Sequence, residues 1–132
     1  GLARLLAEAD WVVLAAALTQ ETRGLLGAAE LARMKPTARL VNIARGPMID
    51  EAALIEALRT GRIAGAVLDV FDSEPLPPES PFWDLPTARI TFHSSGWTEG
   101  LRRRQRELFV DNLARFVRGE ALAGVADRDR GY

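Results

Sequence analysis

Apolar residues follow two alternating rhythms along this chain. Leu2, Leu5, Leu6 and Ala9 keep helical spacing, and a continuous apolar run of strand length, Trp11 to Ala16, comes next. Helical spacing returns from Gly24 to Met34 and stops at Pro36. Leu40 to Ala44 reads as a second buried strand. Asp50 is placed to cap a helix whose apolar face is Leu54, Ile55 and Leu58, with Gly61 as its C′ residue. Ile63 to Val70 predicts a third strand. Residues 72–87 hold five prolines and no period, which predicts a loop. Ala88 to Phe92 predicts a fourth strand. Thr98 is positioned to cap a long helix with Leu101, Leu108, Phe109, Leu113, Phe116 and Val117 on one face, ended by Gly119. Residues 120–132 read as a polar tail.

Strands alternate with helical segments four times, and the strand segments are apolar at consecutive positions. That combination predicts an α/β fold with a parallel sheet covered on both faces. The 132 residues are enough for one compact domain with its own core, and 48% hydrophobic residues argue against disorder. A formal net charge of −1 leaves no electrostatic footprint for nucleic acid or an anionic membrane. The absence of Cys excludes disulfides and thiolate metal sites and fits a reducing compartment. No apolar run reaches the roughly 20 residues of a membrane span, and no signal-peptide order opens the chain. A cytoplasmic location is the expectation. The chain starts on Gly1 and enters a helical pattern at once, which suggests a piece of something longer.

Three predicted strands end on residues that carry chemistry, where open α/β sheets place ligand sites. The second delivers Arg45, whose planar guanidinium suits a carboxylate. Its ordinary alternative is a structural ion pair. The third is flanked by Asp69 and Glu74. The fourth leads into His93, the single histidine, which can exchange a proton near neutral pH. A satisfied loop histidine is the competing reading. Glu74, in the proline-rich loop, is within plausible reach of His93 and would favour its imidazolium form. Arg, carboxylate and His from three strand ends make up an anion clamp, an orienter and an acid–base group. The basic run Arg102, Arg103, Arg104 and Arg106 reads as a solvated helix face rather than a phosphate site. Trp83 and Trp97 flank His93 in sequence, as pocket walls or as packing.

These residues stand in an ordered series: Leu-Val-Asn-Ile-Ala-Arg-Gly (40–46), Asp-Glu-Ala-Ala-Leu (50–54), Leu-Asp-Val-Phe (68–71), Glu-Pro-Leu (74–76) and His-Ser-Ser-Gly (93–96). The series resembles the D-isomer-specific 2-hydroxyacid dehydrogenases, which include phosphoglycerate, glyoxylate/hydroxypyruvate and D-lactate dehydrogenases. The resemblance runs along essentially the whole chain. It implies a Rossmann-type sheet and hydride transfer between NAD(H), or NADP(H), and a small 2-keto or 2-hydroxy acid. It assigns Arg45 to the substrate carboxylate and carbonyl, His93 to acid–base work on the substrate oxygen, and Glu74 to orienting and charging His93. Asp69 would bind the nicotinamide carboxamide. Ala17, Leu18, Thr19, Ile43, Ala44, Arg45, His93, Ser95 and Gly96 would line the cofactor. The chain departs from the family pattern at Ala17 and Phe92, each in place of a usual Pro, and at Ser94 and Ser95, in place of a more apolar pair. Glu74 argues against the formate dehydrogenase branch, where a Gln is expected.

No Gly-x-Gly-x-x-Gly occurs within the 132 residues. The resemblance therefore makes residues 1–119 the C-terminal half of a cofactor domain and residues 120–132 a tail returning to a substrate domain. The phosphate-binding turn is expected upstream of Gly1. A full-length dehydrogenase, expected as a homodimer, is one functional reading. A non-catalytic truncated module, or a co-repressor-like binding protein with a dehydrogenase-derived fold, is the other. No metal ligand set is expected.

Overall fold

Four short parallel strands form the sheet, in the order β1 (Trp11–Leu14), β2 (Arg39–Asn42), β3 (Gly65–Leu68) and β4 (Ala88–Ile90). The computed structural model describes residues 1–129. It divides into two compact units, Gly1–Ser94 and the segment that begins at Ser95. The sheet belongs to the first. The register sets Leu14 beside Asn42, Asn42 beside Leu68, and Leu68 beside Ile90. The segments that leave β2, β3 and β4 therefore start at one common level.

Three helices accompany the strands: α1 (Leu2–Glu8), α2 (Ala28–Leu31) and α3 (Glu51–Arg59). Asp50 caps α3 as its sequence predicts, its side chain accepting the Ala53 N–H at 3.1 Å. Loss of such a cap costs about 1 kcal/mol. Gly61 follows α3 with a φ of +68°, the left-handed conformation that ends helices at low cost on glycine. Leu54 and Leu58 are buried with Leu6, Leu26, Leu31, Met34, Leu40, Leu68 and Phe82 in one core. Gly65 lies against the chain entering β4, where a Cβ would stand 2.8 Å from the Thr87 carbonyl oxygen.

The structure corrects several expectations. The helix expected over residues 24–34 shrinks to the single turn of α2. Gly24 and Leu26 instead donate backbone hydrogen bonds to Pro47 and Met48, and Asp50 donates to Leu26, so this stretch is bound laterally to the α3 approach. Two glycines, at 24 and 27, weaken the helical alternative. The strands are shorter than their apolar runs. The sheet is not covered on both faces at β1, where Val12 and Leu14 are buried but Trp11 and Val13 are more than half exposed. The Arg39 guanidinium lies 5.5 Å from the Trp11 ring centroid and partly covers it. The predicted proline-rich loop contains a short 3-10 turn, Pro81–Asp84, opened by the Ser80 side chain.

The second unit is dominated by α4 (Leu101–Val117). Its N-cap is Gly100, with φ +76°, rather than the expected Thr98. The Thr98 hydroxyl instead accepts from Arg104 at 2.7 Å. The predicted apolar face is present, and Leu108, Phe109, Leu113, Phe116 and Val117 are all exposed. After Gly119 the chain turns back, and the Asn112 side chain pairs with both the N–H and the carbonyl of Ala123. The last three residues of the predicted tail lie outside the described residues. The arginine run is a solvated face, with Arg103 paired to Glu107.

Candidate active site

The turn that leaves β2 is built by Asn42, a polar residue inside an apolar run and only 1% exposed. Its side-chain carbonyl accepts the Ala44 N–H at 3.0 Å, and its amide donates to the Arg45 carbonyl at 3.0 Å. A buried amide with both ends satisfied fixes the local path. Arg45 therefore projects from a rigid turn. Its Nη1 donates to the Ala44 carbonyl at 2.6 Å, which orients the guanidinium fork. Gly46 follows at a point of close approach. A Cβ there would lie well inside 3.0 Å of the Phe71 carbonyl group and the Asp72 nitrogen. The turns after β2 and β3 are thus in backbone contact.

The turn after β3 brings Glu74 back onto its own strand end. One carboxylate oxygen accepts the Phe71 N–H at 2.9 Å, and the other meets His93 Nδ1 at 2.7 Å. The Glu74–Pro75 peptide bond is cis. Burial pushes the Glu74 carboxyl up, but hydrogen bonds from His93 and Phe71 and the positive charges of His93 and Arg45 outweigh it and leave the group below its ordinary value. Glu74 is therefore a carboxylate at neutral pH. Glu51, at the start of α3, accepts the Asp72 N–H at 2.8 Å and ties the same turn to the helix.

His93 is in the left-handed region, with φ +57°, and is the one described non-glycine residue there. That conformation costs an L-residue about 1–2 kcal/mol. Asp69 brackets it. The carboxylate is 3% exposed, and the same oxygen accepts the Thr91 hydroxyl and, at 2.9 Å, the Ser94 N–H. A cavity of about 640 Å³ opens beside this group, lined by Asp69, Phe71, Glu74, Leu76, Trp83, Ile90, Thr91, Phe92 and His93 among others. Trp83 is held in its wall by a 2.8 Å bond from its indole N–H to the Pro77 carbonyl.

The first unit thus brings together Arg45, Asp69, Glu74 and His93, with Ile43 and Ala44 in the turn before Arg45. Ile43, just after β2, is 41% exposed. Ala17, Leu18 and Thr19 lie in the loop after β1. There Thr19 and Thr22 are mutually bonded, and Thr22 donates to the Ala17 carbonyl at 2.8 Å. Ser95 and Gly96 fall in the second unit. Asn42, Glu51 and Thr91 carry this geometry without having been assigned roles from sequence. The available signal was polarity out of place: an Asn within Leu40–Ala44 and a Thr at the end of an apolar strand. No group of three or more potential metal ligands occurs among the described residues.

A parallel sheet with helices thus presents an Arg, a buried Asp and a carboxylate-paired His beyond successive strand ends, where open α/β sheets place ligand sites. The model of the D-isomer specific 2-hydroxyacid dehydrogenase NAD binding domain matches residues 1–95, and the chain belongs to that family. It is 44% identical over 97% of its length to a glyoxylate reductase of Korarchaeum cryptofilum, covering 39% of that protein. It is 50% identical over 97% of its length to a glyoxylate reductase of Thermococcus gammatolerans, covering 38%. The chain therefore spans about two fifths of these relatives. Among solved structures, a D-isomer specific 2-hydroxyacid dehydrogenase from Xanthobacter autotrophicus in complex with NADPH and MES superposes with a TM-score of 0.91 at 44% identity, over 99% of this chain and 53% of that one. An NADPH-dependent glyoxylate/hydroxypyruvate reductase from Sinorhizobium meliloti, in complex with NADP and sulfate, gives 0.90 at 36% identity, over all of this chain and 43% of that one.

Proposed function

We propose that the protein carrying this chain reduces small 2-keto acids of the glyoxylate and hydroxypyruvate class with NADH or NADPH. The observation that carries this reading is the 2.7 Å contact between His93 Nδ1 and Glu74. It aligns an acid–base imidazole and leaves Nε2 as the atom directed to chemistry. The nicotinamide, when bound, supplies the hydride. Ile43, Ala44 and the loop Ala17 to Thr19 would lie along it, with the exposed Ile43 side chain as the apolar surface and Asp69 beside its carboxamide.

Arg45 holds the substrate carboxylate through guanidinium donors beyond the one given to Ala44, and so fixes the keto carbon relative to His93. As hydride adds to that carbon, the carbonyl oxygen gains charge and takes the proton from His93 Nε2. The Glu74 carboxylate stabilises the imidazolium beforehand and keeps its ring plane fixed. In the oxidative direction the neutral imidazole accepts the hydroxyl proton. Glu74, held below the ordinary carboxylate value, faces the imidazole as an anion at neutral pH.

The test is turnover of glyoxylate and hydroxypyruvate by the full-length protein, followed by NADH and NADPH absorbance, with His93→Gln beside wild type. A general acid contributes about 10²–10⁴-fold, so kcat is expected to fall by that factor while dinucleotide affinity holds. Equal turnover in the two proteins would overturn the role of His93. Absence of turnover in wild type with every 2-keto acid would favour the non-catalytic module.

A further inference from the structure

We propose that Thr91 is a positioning residue for His93, acting through Asp69. The proposal rests on the reading of His93 as the acid–base group, and it concerns how that side chain is held. A histidine in the left-handed region does not stay there unaided. Here a single carboxylate oxygen binds both sides of the residue: the Thr91 hydroxyl two positions before it and the Ser94 N–H one position after it. The Asp69 backbone is itself fixed, its N–H donating to the Asn42 carbonyl at 3.0 Å. The bracket is therefore anchored in the sheet, and His93 is the only residue of the turn whose φ is reversed.

That reversal sends the imidazole to Glu74, on the far side of the turn after β3. Without the Thr91 hydroxyl on Asp69, the left-handed conformation would lose one of its restraints, and Nδ1 would spend less time on the Glu74 carboxylate. Thr91 is well suited to the task. Its hydroxyl is the sole polar group of its side chain, and its backbone N–H is committed to the Leu68 carbonyl, which prevents the donor from drifting. Charged groups around His93 on the packed elements are Glu74, Asp69 and, through its charge on Glu74, Arg45. None of them is altered by substituting Thr91.

The experiment compares Thr91→Val, which keeps the shape and removes the hydroxyl, with Thr91→Ser, which keeps the hydroxyl, in the full-length protein. Two readouts are taken. The first is the low-field proton resonance of the His93 Nδ1–H bonded to Glu74, assigned by its loss in His93→Gln. The second is the split between kcat and KM for a 2-keto acid. T91V is expected to broaden or remove the resonance and to lower kcat by about 10–100-fold, the order expected for a misplacement approaching 1 Å. KM is expected to hold within about 3-fold because Arg45 is untouched. T91S is expected to restore both readouts. A T91V protein with the wild-type resonance and kcat overturns the proposal, and so does a T91S protein as impaired as T91V. If T91V does not fold, Thr91→Ala takes its place with the same expected and refuting results. A wild-type protein that shows the resonance but no turnover defeats the dehydrogenase reading, while the resonance still decides the role of Thr91.

Discussion

Gly46→Ala is the sharpest probe of the packing behind the site. The glycine does not have a left-handed φ, so its backbone conformation is open to alanine. What it lacks is room. The added methyl would meet the Phe71 carbonyl carbon and oxygen and the Asp72 nitrogen, all well inside 3.0 Å. Each of these is backbone, so no side chain can swing aside. Carbon atoms settle about 3.5–4.0 Å apart, so the two turns must separate by ~1 Å or more. Overpacking of this kind costs about 1–3 kcal/mol. The displacement is directional. Phe71 holds Glu74 through its N–H, Glu74 holds His93, and Arg45 precedes Gly46. Separating the turns thus moves Arg45, the proposed anion clamp, away from His93, the proposed acid. A shift of that size is expected to lower kcat/KM by about 100-fold, with the midpoint of urea denaturation falling in step with the lost stability. The assay is steady-state reduction of glyoxylate by full-length wild type and G46A, beside equilibrium denaturation of both. A G46A protein with wild-type kcat/KM and stability would refute the claim that the two turns are in rigid contact.

Two further outcomes test the surrounding geometry. Asn42→Ala removes the acceptor for Ala44 and the donor to Arg45 in a buried turn, and is expected to destabilise the protein by about 2–4 kcal/mol in chemical denaturation; a loss below ~0.5 kcal/mol would show that the turn holds without it. Glu74→Gln tests the depressed carboxyl. A group whose folded pKa lies below its unfolded value stabilises the fold above the unfolded pKa, and that contribution fades as pH falls through the folded one. Wild type should therefore melt above E74Q near neutral pH, and the gap should close as pH drops below about 4.5; a gap independent of pH between 3 and 7 would show that ionisation of Glu74 plays no part.

Much of this molecule is readable from its residues because the rules involved are local. The apolar runs at 11–16, 40–44, 63–70 and 88–92 each overlap a strand, and Asp50 announces α3. Arg45, Glu74 and His93 stand out in the sequence only as a set, because three strand ends supply an Arg, a carboxylate and a His, while each alone has an ordinary structural reading. The parts that escape are tertiary. The turn of α2 cannot be told from a longer helix by spacing, because backbone bonds to Pro47 and Met48 decide it. Thr98 has the chemistry of a cap but gives its hydroxyl to Arg104. The demand for glycine at position 46 comes from Phe71, a residue 25 positions away. Thr91 reads as an ordinary strand residue until Asp69 is placed opposite it.

The parallel ladder has a metrical consequence. Arg45 leaves β2 and His93 leaves β4, with β3 and its two carboxylates between them. Neighbouring strands lie about 4.8 Å apart, so the two outer groups are born ~10 Å from each other across the sheet. Backbone hydrogen bonding admits no intermediate spacing. The sheet thus acts as a ruler, and loop sequences on either side can vary widely without changing its graduation. For the substrate proposed above, this spacing sets how far apart its contacts with Arg45 and His93 begin.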